Sequence, residues 1–314
     1  MENPIFVSII CCTYNHEPYI RQCLDGFIMQ KTSFRFEVLI HDDASTDNTQ
    51  SIIREYEAKY PDIIKPIYQV ENQYSKKTGV LKTFQYPRVK GKYVALCEGD
   101  DYWIDPMKLQ SQVDVMEKNE EYGLCYTKTK YLYNETNRFI YDWGGPSTEF
   151  RELLKANTIP TLSVMIRWEY AQEYHAEIAP YSESWRMGDY PMWLWLAYNY
   201  KVCFIDKVTS VYRVLNESAS HSKDVEKKLG FILSSIDIQE FFANRYGVKT
   251  GVDYAKLRIQ AKMYNYALYG KRKLFADNWN KLLEYSKWNL LCLFPYKYML
   301  FFIFPRLRKK YLIH

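Results

Sequence analysis

The sequence lacks most of the short signatures that assign a chemistry quickly. Its seven cysteines (Cys11, Cys12, Cys23, Cys97, Cys125, Cys203 and Cys292) form an odd set with no C-x-x-C pair. That argues against a disulfide framework and against a cysteine-based zinc site. There is no G-x-x-x-x-G-K-[ST] phosphate loop, no G-x-G-x-x-G after the first apolar run and no G-x-S-x-G elbow. Phosphate-loop, dinucleotide-binding and Ser-His-Asp hydrolase chemistry therefore go without their usual support. Internal repeats and low-complexity linkers are missing too. Met1-Glu2-Asn3-Pro4 has neither the basic nor the apolar region of a secretory signal, so a reducing cytoplasm is the expected compartment.

Acidic residues are absent from one region. Residues 288–314 contain Lys297, Arg306, Arg308, Lys309 and Lys310 and no Asp or Glu. Removing these five from the 42 basic residues leaves 37, equal to the 37 acidic ones, so the body is neutral. A nucleic-acid binder carries its basic stripe on the folded body, which argues against that class. Trp288 to Pro305, WNLLCLFPYKYMLFFIFP, is apolar but short for a transmembrane span, and Pro295 opposes a straight helix. Aromatics followed by a basic cluster fit a segment lying on the anionic inner leaflet of a membrane; docking on the domain is the alternative. The first reading makes the protein cytoplasmic and peripheral.

Within the first hundred residues, strands and helices alternate. Strands are expected at Phe6–Cys12, Phe36–His41, Ile63–Val70 and Tyr93–Cys97, and helices at Pro18–Gln30 and Asp47–Tyr60, with a weaker helix before the fourth strand. This spacing predicts a parallel sheet with right-handed crossovers. Ligands bind such sheets beyond the carboxyl ends of the strands. Those ends carry Thr13-Tyr14-Asn15-His16-Glu17, then Asp42-Asp43-Ala44-Ser45-Thr46-Asp47, then Glu98-Gly99-Asp100-Asp101. Farther on, a helix is expected from Asp105 to Asn119, strands at Gly123–Leu132, Thr161–Arg167, Val202–Ile205 and Val208–Val214, and a helix at Asp189–Asn199. From Ser222 the pattern is helical, through Tyr246 and from Asp253 to about Trp288.

Glu98 and Asp100 stand two apart at a strand end and share a face, which Asp101 does not. Oxygen ligands of this kind suit Mg²⁺ or Mn²⁺ bridging a diphosphate. An acidic turn before a capped helix is the alternative; it accounts for Asp105 and Asp101 better than for Glu98 and Asp100.

The segments VSIICCTYNHEPYI, VLIHDDASTDNT and GKYVALCEGDDYW, in this order, resemble the inverting family 2 glycosyltransferases of the GT-A fold. The resemblance covers about the first 110 residues. It implies an α/β, Rossmann-like, mostly parallel sheet flanked by helices, here with a C-terminal helical extension. It implies that Tyr14 and Asp43 contact a nucleobase, one by stacking and one by accepting from an imide N–H, while Thr13 and Asn15 shape that pocket. Asp42 belongs to the same set, with turn chemistry as its alternative, and Asp47 reads as a helix cap. Asp100 matches the metal-ligand position of a D-x-D motif, Glu98 stands where the first Asp is usual, and Asp101 supports the donor site from behind.

The family's catalytic base falls in an acidic pair before a helix, which points to Asp189 in WRMGDYPMW, with plain N-capping as the alternative. Trp185 and Trp193 read equally as a sugar wall or as core. Arg213 and His221, in YRVLNESASH, would offset leaving-group charge or complete the metal shell. The expected organisation is a transferase domain over 1–222, split at 110 into nucleotide and acceptor halves, and a helical region over 223–314. The expected function is transfer of a sugar from a nucleotide-sugar, preferentially a UDP-sugar, to a glycan or lipid-linked acceptor in cell-surface polysaccharide synthesis. Mn²⁺ or Mg²⁺ is the expected cofactor, and a homo-oligomer stays open. A sugar-phosphate nucleotidyltransferase is the competing enzyme, although Thr13 to Pro18 contains no glycine for its loop. A non-catalytic binding module is the other alternative.

Overall fold

The computed structural model describes residues 4–215, 224–285, 298, 301 and 302. His221 and most of the basic tail lie outside the described residues. Two compact units are present, Met1–Pro180 with Met192–Leu215, and Tyr181–Pro191 with Asn216–His314.

The first unit opens with β1 (Ile5–Thr13), α1 (Ile20–Ile28), β2 (Arg35–Asp42), α2 (Thr49–Lys59), β3 (Ile64–Tyr68) and β4 (Tyr93–Leu96). β1 pairs in parallel with β2 and β4, and β2 with β3. β1 is buried without interruption from Val7 to Cys11, as a parallel strand covered on both faces must be. In α1 the buried Ile20, Cys23, Leu24 and Phe27 recur at helical spacing on one face. Burial of each Ile, Leu or Phe of this kind contributes on the order of 1.5–3 kcal/mol. Phe27 meets the Trp103 ring edge-on at 4.9 Å. In place of the helix expected before β4 there are two short turns, Leu81–Gln85 and Tyr86–Arg88, the second with a proline at its start.

The chain continues through β5 (Tyr102–Trp103), α3 (Lys108–Met116), β6 (Tyr122–Tyr133), β7 (Arg138–Trp143), α4 (Phe150–Leu153), β8 (Met165–Arg167), α5 (Trp168–Ile178), α6 (Asp189–Asn199) and β9 (Lys201–Val214). Among the described residues nine strands form one sheet, in the order β3-β2-β1-β4-β8-β6-β9-β5, with β7 on β6. The parallel half is the one legible from the alternation. Beyond β4 the sheet becomes mixed, because β8 runs antiparallel to both β4 and β6. The strand expected at Thr161–Arg167 opens instead as a 3₁₀ turn over Thr161–Ser163. The two strands expected after Lys201 are one, since β6 carries β9 through the polar Asp206-Lys207 step as a bulge, Thr127 facing Ile205 and Lys128 facing Val208.

The second unit contains α7 (Val225–Arg245), α8 (Tyr254–Leu268) and α9 (Arg272–Tyr285). Asp224 and Asp253 cap α7 and α8 by accepting backbone N–H groups of the first turn. The single helix expected from 253 to 288 breaks at Gly270, whose φ of +73° ends α8 in the left-handed conformation, with Lys271 N–H returning to the Tyr266 carbonyl. Of the tail, Tyr298 and Phe301 are buried in this unit's core with Leu229, Met263 and Phe275. No helix among the described residues is long and apolar enough to cross a membrane.

Candidate functional site

Parallel pairing brings the ends of β2, β1 and β4 to one edge of the sheet. Thr13 lies beside Asp42 in register, Asp43 N–H donates to the Thr13 carbonyl at 3.0 Å, and Gly99 N–H donates to the Cys12 carbonyl at 3.0 Å. The three polar clusters are therefore neighbours.

The β1 and β2 ends are latched by side chains. Asn15, at φ +54°, accepts from Thr46 N–H at 2.8 Å and donates its own N–H to Ser45 Oγ at 2.9 Å. Asn tolerates this left-handed backbone because its short amide bonds locally. Glu17 N–H donates to Asp47 Oδ2 at 3.0 Å, and the Glu17 carboxylate accepts from Asn48 N–H at 3.1 Å and from its Nδ2 at 2.7 Å. Asp47 Oδ1 also accepts from Thr49 N–H at the start of α2, the capping role expected of it.

Asp42 is fully buried and accepts from Ser45 N–H, Ser45 Oγ and Gln50 Nε2, so its carboxylate builds the turn. Asp43 accepts from the backbone N–H groups of Gln73 at 2.6 Å and Tyr74 at 3.0 Å, with His41 Nε2 at 3.4 Å. It thus ties the loop after β3 to the end of β2, and a carboxylate has lone pairs enough to accept a further bond. Tyr14 is 44% exposed, which excludes the core-packing reading of its ring.

Gly99 joins the first and third clusters. A Cβ on it would lie 2.7 Å from Thr13 Oγ1, 2.8 Å from Thr13 Cβ and 3.0 Å from His16 Nδ1. The middle residue of the Glu98-Gly99-Asp100 triplet must therefore be glycine for the turn to seat against the end of β1. Glu98 is exposed. Among the described residues, Asp100 Oδ1 is buried without a hydrogen-bond partner, as are Thr13 Oγ1 and His16 Nδ1. Burial pushes the His16 imidazole below its ordinary value, against the pull of Asp100, Asp47 and Asp42.

Asp101 points away from this edge and is buried, its Oδ1 accepting from Arg213 N–H at 2.8 Å. Burial first, and then Asp100, push its carboxyl well above the ordinary range. That shift favours the neutral form and relieves the crowding of three successive acids. The Arg213 guanidinium lies over the rings of Tyr102 at 4.7 Å and Tyr19 at 5.1 Å and donates to Gln22 Oε1. β5 pairs with β9 here, Tyr102 facing Val211, which sets Arg213 behind the acidic turn.

Asp189 opens α6 and belongs with Tyr181–Pro191 to the second unit; its Oδ1 accepts from Tyr190 N–H at 2.7 Å. Trp193 is fully buried and is core, whereas the half-buried Trp185 packs on Phe241 and Phe242. Two residues that sequence reasoning did not single out also shape the site. Gln85, fully buried, donates its amide to the carbonyls of Leu39 and Cys11, bracing β1 and β2. Gln22 holds Arg213. Neither sits in a polar cluster, so only their tertiary contacts reveal them.

An unpartnered buried carboxylate oxygen beside an exposed Glu fits a hard divalent cation. Among the described residues no three His, Cys, Asp or Glu side chains converge to hold one unaided.

Residues 8–168, about half of the chain, match the model of glycosyl transferase family 2. An uncharacterized protein of Mycobacterium tuberculosis is 41% identical over 169 residues, covering 51% of this chain and 46% of that protein. The chain spans about half the length of the mycobacterial relatives it matches. The Escherichia coli UDP-Glc:alpha-D-GlcNAc-diphosphoundecaprenol beta-1,3-glucosyltransferase WfgD is 26% identical, over 71% of this chain and 82% of its own. Among solved structures, S. aureus TarS with UDP-GlcNAc has a TM-score of 0.58 at 17% identity, covering 90% of this chain and 92% of that one. The Pyrobaculum calidifontis mannosyltransferase PcManGT, with GDP-Man and Mn²⁺, has a TM-score of 0.54 at 16% identity, over 91% and 76%. These likenesses establish the GT-A fold.

Proposed function

The chain belongs to glycosyl transferase family 2, and from that premise we propose that it is a divalent-cation-dependent inverting glycosyltransferase. In this reading it moves a sugar from a nucleotide-sugar, preferentially a UDP-sugar, to a hydroxyl of a glycan or lipid-linked oligosaccharide in cell-surface polysaccharide synthesis. WfgD, with its diphosphoundecaprenol-linked acceptor, and TarS, with UDP-GlcNAc, support the choice of acceptor and donor class. One observation carries the reading: the ends of β1, β2 and β4 meet at one edge, with Asp100 Oδ1 buried there and without a hydrogen-bond partner among the described residues.

Tyr14 stacks on the base, Asp43 accepts from its imide N–H, and Thr13, Asn15 and Asp42 fix the shape of that pocket. Asp100 is the cation ligand, Glu98 faces the sugar, and Asp101 with Arg213 holds the turn. A bound Mn²⁺ or Mg²⁺, held by Asp100 and the donor's diphosphate, would neutralise charge on the leaving group. Asp189 takes the proton from the acceptor hydroxyl as its oxygen bonds to the anomeric carbon. The bond from that carbon to the diphosphate breaks on the opposite face, and its electron pair leaves with the nucleoside diphosphate.

The experiment is donor turnover with a panel of nucleotide-sugars, with and without Mn²⁺. Release of UDP that falls at least a hundredfold in Asp100→Asn and in Asp189→Ala supports the assignment. Release of pyrophosphate, or unchanged turnover in both variants, refutes it.

A further inference from the structure

The mixed half of the sheet carries a row of aromatic rings that runs away from the acidic turn. β5 follows Asp101 directly, and its Tyr102 faces Val211 of β9. The next residue of β9, Tyr212, lies in register with Tyr131 of β6, their rings tilted with centroids 4.9 Å apart. Tyr131 in turn stacks on Tyr141 of β7 at 4.8 Å, with 18° between the planes, and meets Trp143 edge-on at 5.6 Å. Tyr141 and Trp143 stand two apart and so share a face of their strand. Three adjacent strands thus present Tyr212, Tyr131 and Tyr141 as one strip, about 10 Å long at two strand spacings. Arg213, one residue past Tyr212, donates its N–H to Asp101 Oδ1 at 2.8 Å, which ties the inner end of the strip to the turn holding Asp100.

The outer end is unusual for an edge. Among the described residues β7 pairs with β6 alone, and it shows Phe139, Ile140 and Tyr141 in succession, exposed by 52%, 40% and 51%. Edge strands are ordinarily blunted by charge, and an exposed apolar run on one marks an interaction surface. One face of the Tyr141 ring is taken by Tyr131, so the other face is the one it offers outward. Tyrosines braced by stacking on each other give rigid contact area at little entropic cost, with polar tips at the rim. That suits a pyranose, whose C–H face is apolar while its rim hydroxyls need hydrogen-bonding partners. An acyl chain offers nothing to those tips.

We propose that Tyr141 and Tyr131, with Tyr212 at the inner end, are the stacking platform for the saccharide chain of the acceptor, which lies along the strip with its attacking residue toward the acidic turn. This rests on the reading of the chain as a glycosyltransferase acting on a glycan or lipid-linked oligosaccharide. The platform binds and orients; it takes no part in proton transfer. Phe139 belongs to the other face, opposite Leu132 in register and under the Lys130 ammonium at 5.5 Å, and lies outside the platform.

The test measures binding of cellobiose, chitobiose, lactose and mannobiose to the full chain by saturation-transfer difference NMR, irradiating the aromatic ring protons. Tyr141→Ala, Tyr141→Phe and Phe139→Ala are compared with wild type. The expected result is saturable transfer to the C–H protons of at least one disaccharide. Its Kd rises about three- to tenfold in Tyr141→Ala, as loss of one stacked ring predicts, and stays within about twofold in Tyr141→Phe and Phe139→Ala. Calorimetric binding of UDP with Mn²⁺ to the same protein separates the two readings. UDP binding without transfer to any of the four sugars overturns this inference alone, as does wild-type sugar affinity in Tyr141→Ala. Failure of UDP to bind overturns the transferase reading, and the acceptor assignment with it. A dimer in sedimentation velocity that Tyr141→Ala and Phe139→Ala both dissolve identifies a second copy as the occupant and overturns the platform. A measurement on the unaltered protein covers a Tyr141→Ala variant that fails to fold. With ring-labelled tyrosine, the tightest-binding sugar must shift the Tyr141 and Tyr131 resonances, and unshifted rings refute the platform.

Discussion

Replacing Gly99 by alanine forces a methyl carbon to within 2.8 Å of Thr13 Cβ and 2.7 Å of Thr13 Oγ1. Comfortable carbon contacts lie at about 3.5–4.0 Å, so the shortfall is roughly 0.7–1.2 Å. Thr13 cannot rotate out of the way, because the nearer carbon is its own Cβ and the residue closes the β1 ladder beside Asp42. Either the turn shifts by about that distance or the packing strains, and overpacking of this kind costs about 1–3 kcal/mol. For a protein of this size each kcal/mol lowers Tm by about 2–4 °C, so Gly99→Ala melts lower by roughly 2–12 °C. Thermal denaturation followed by circular dichroism reads this directly. Thr13→Gly removes both contacting atoms, so in a double-mutant cycle the two changes are non-additive by about 1–2 kcal/mol in the relieving direction. A Gly99→Ala protein that melts within 1 °C of wild type (about 0.3–0.5 kcal/mol), with strictly additive effects in the cycle, refutes the interlock of the two clusters.

Two further outcomes follow from buried groups. Lys108 is fully buried over the Trp103 ring at 4.2 Å, its ammonium donates to Gln112 Oε1 at 2.8 Å, and burial lowers it from 10.5 to about 7. Between about pH 7 and 10.5 the unfolded chain binds the extra proton, so this group's penalty is full below pH 7 and fades as pH rises. Lys108→Met therefore stabilises by about 1–3 kcal/mol at pH 6, after the cost of stranding the Gln112 amide, and by much less at pH 10; equal gains at both pH values refute the assignment. Asp43→Ala removes the acceptor of Gln73 and Tyr74 N–H, two charge-assisted bonds of about 1.5–3 kcal/mol each. Amide hydrogen exchange over residues 71–79 then accelerates at least tenfold, with α1 unaffected; unchanged exchange shows that the loop is held by other contacts.

Much of the site was legible because local patterns carry it. Continuous apolar runs announced β1, β2 and β4, and the rule that parallel sheets bind ligands at their carboxyl ends turned three polar clusters into one candidate edge. The capping of α2 by Asp47 was also local, since a carboxylate before a helix has few other uses. Asp42 and Asp43 are different. Asp42 carried turn chemistry as its alternative reading and is consumed by Ser45 and Gln50, whereas Asp43 anchors a loop some 30 residues away. The turn at Asp42 is local, but no short-range signal reveals the loop that Asp43 holds.

The sequence by itself determined the alternation of elements, the order of the three clusters and the acidic character of Glu98 to Asp101, because strand burial and turn chemistry depend on neighbours along the chain. The tertiary structure decided how that acidic turn divides. Asp101 accepts from Arg213 N–H of β9, Glu98 stays exposed, and Asp100 Oδ1 is buried with no hydrogen-bond partner among the described residues. It also decided that the second half of the sheet is mixed and that Gly270 ends a helix whose pattern runs on. The physical reason is common to all of these: pairing partners, close approach and desolvation are set by residues distant in sequence, and a pattern read along one chain segment contains none of them.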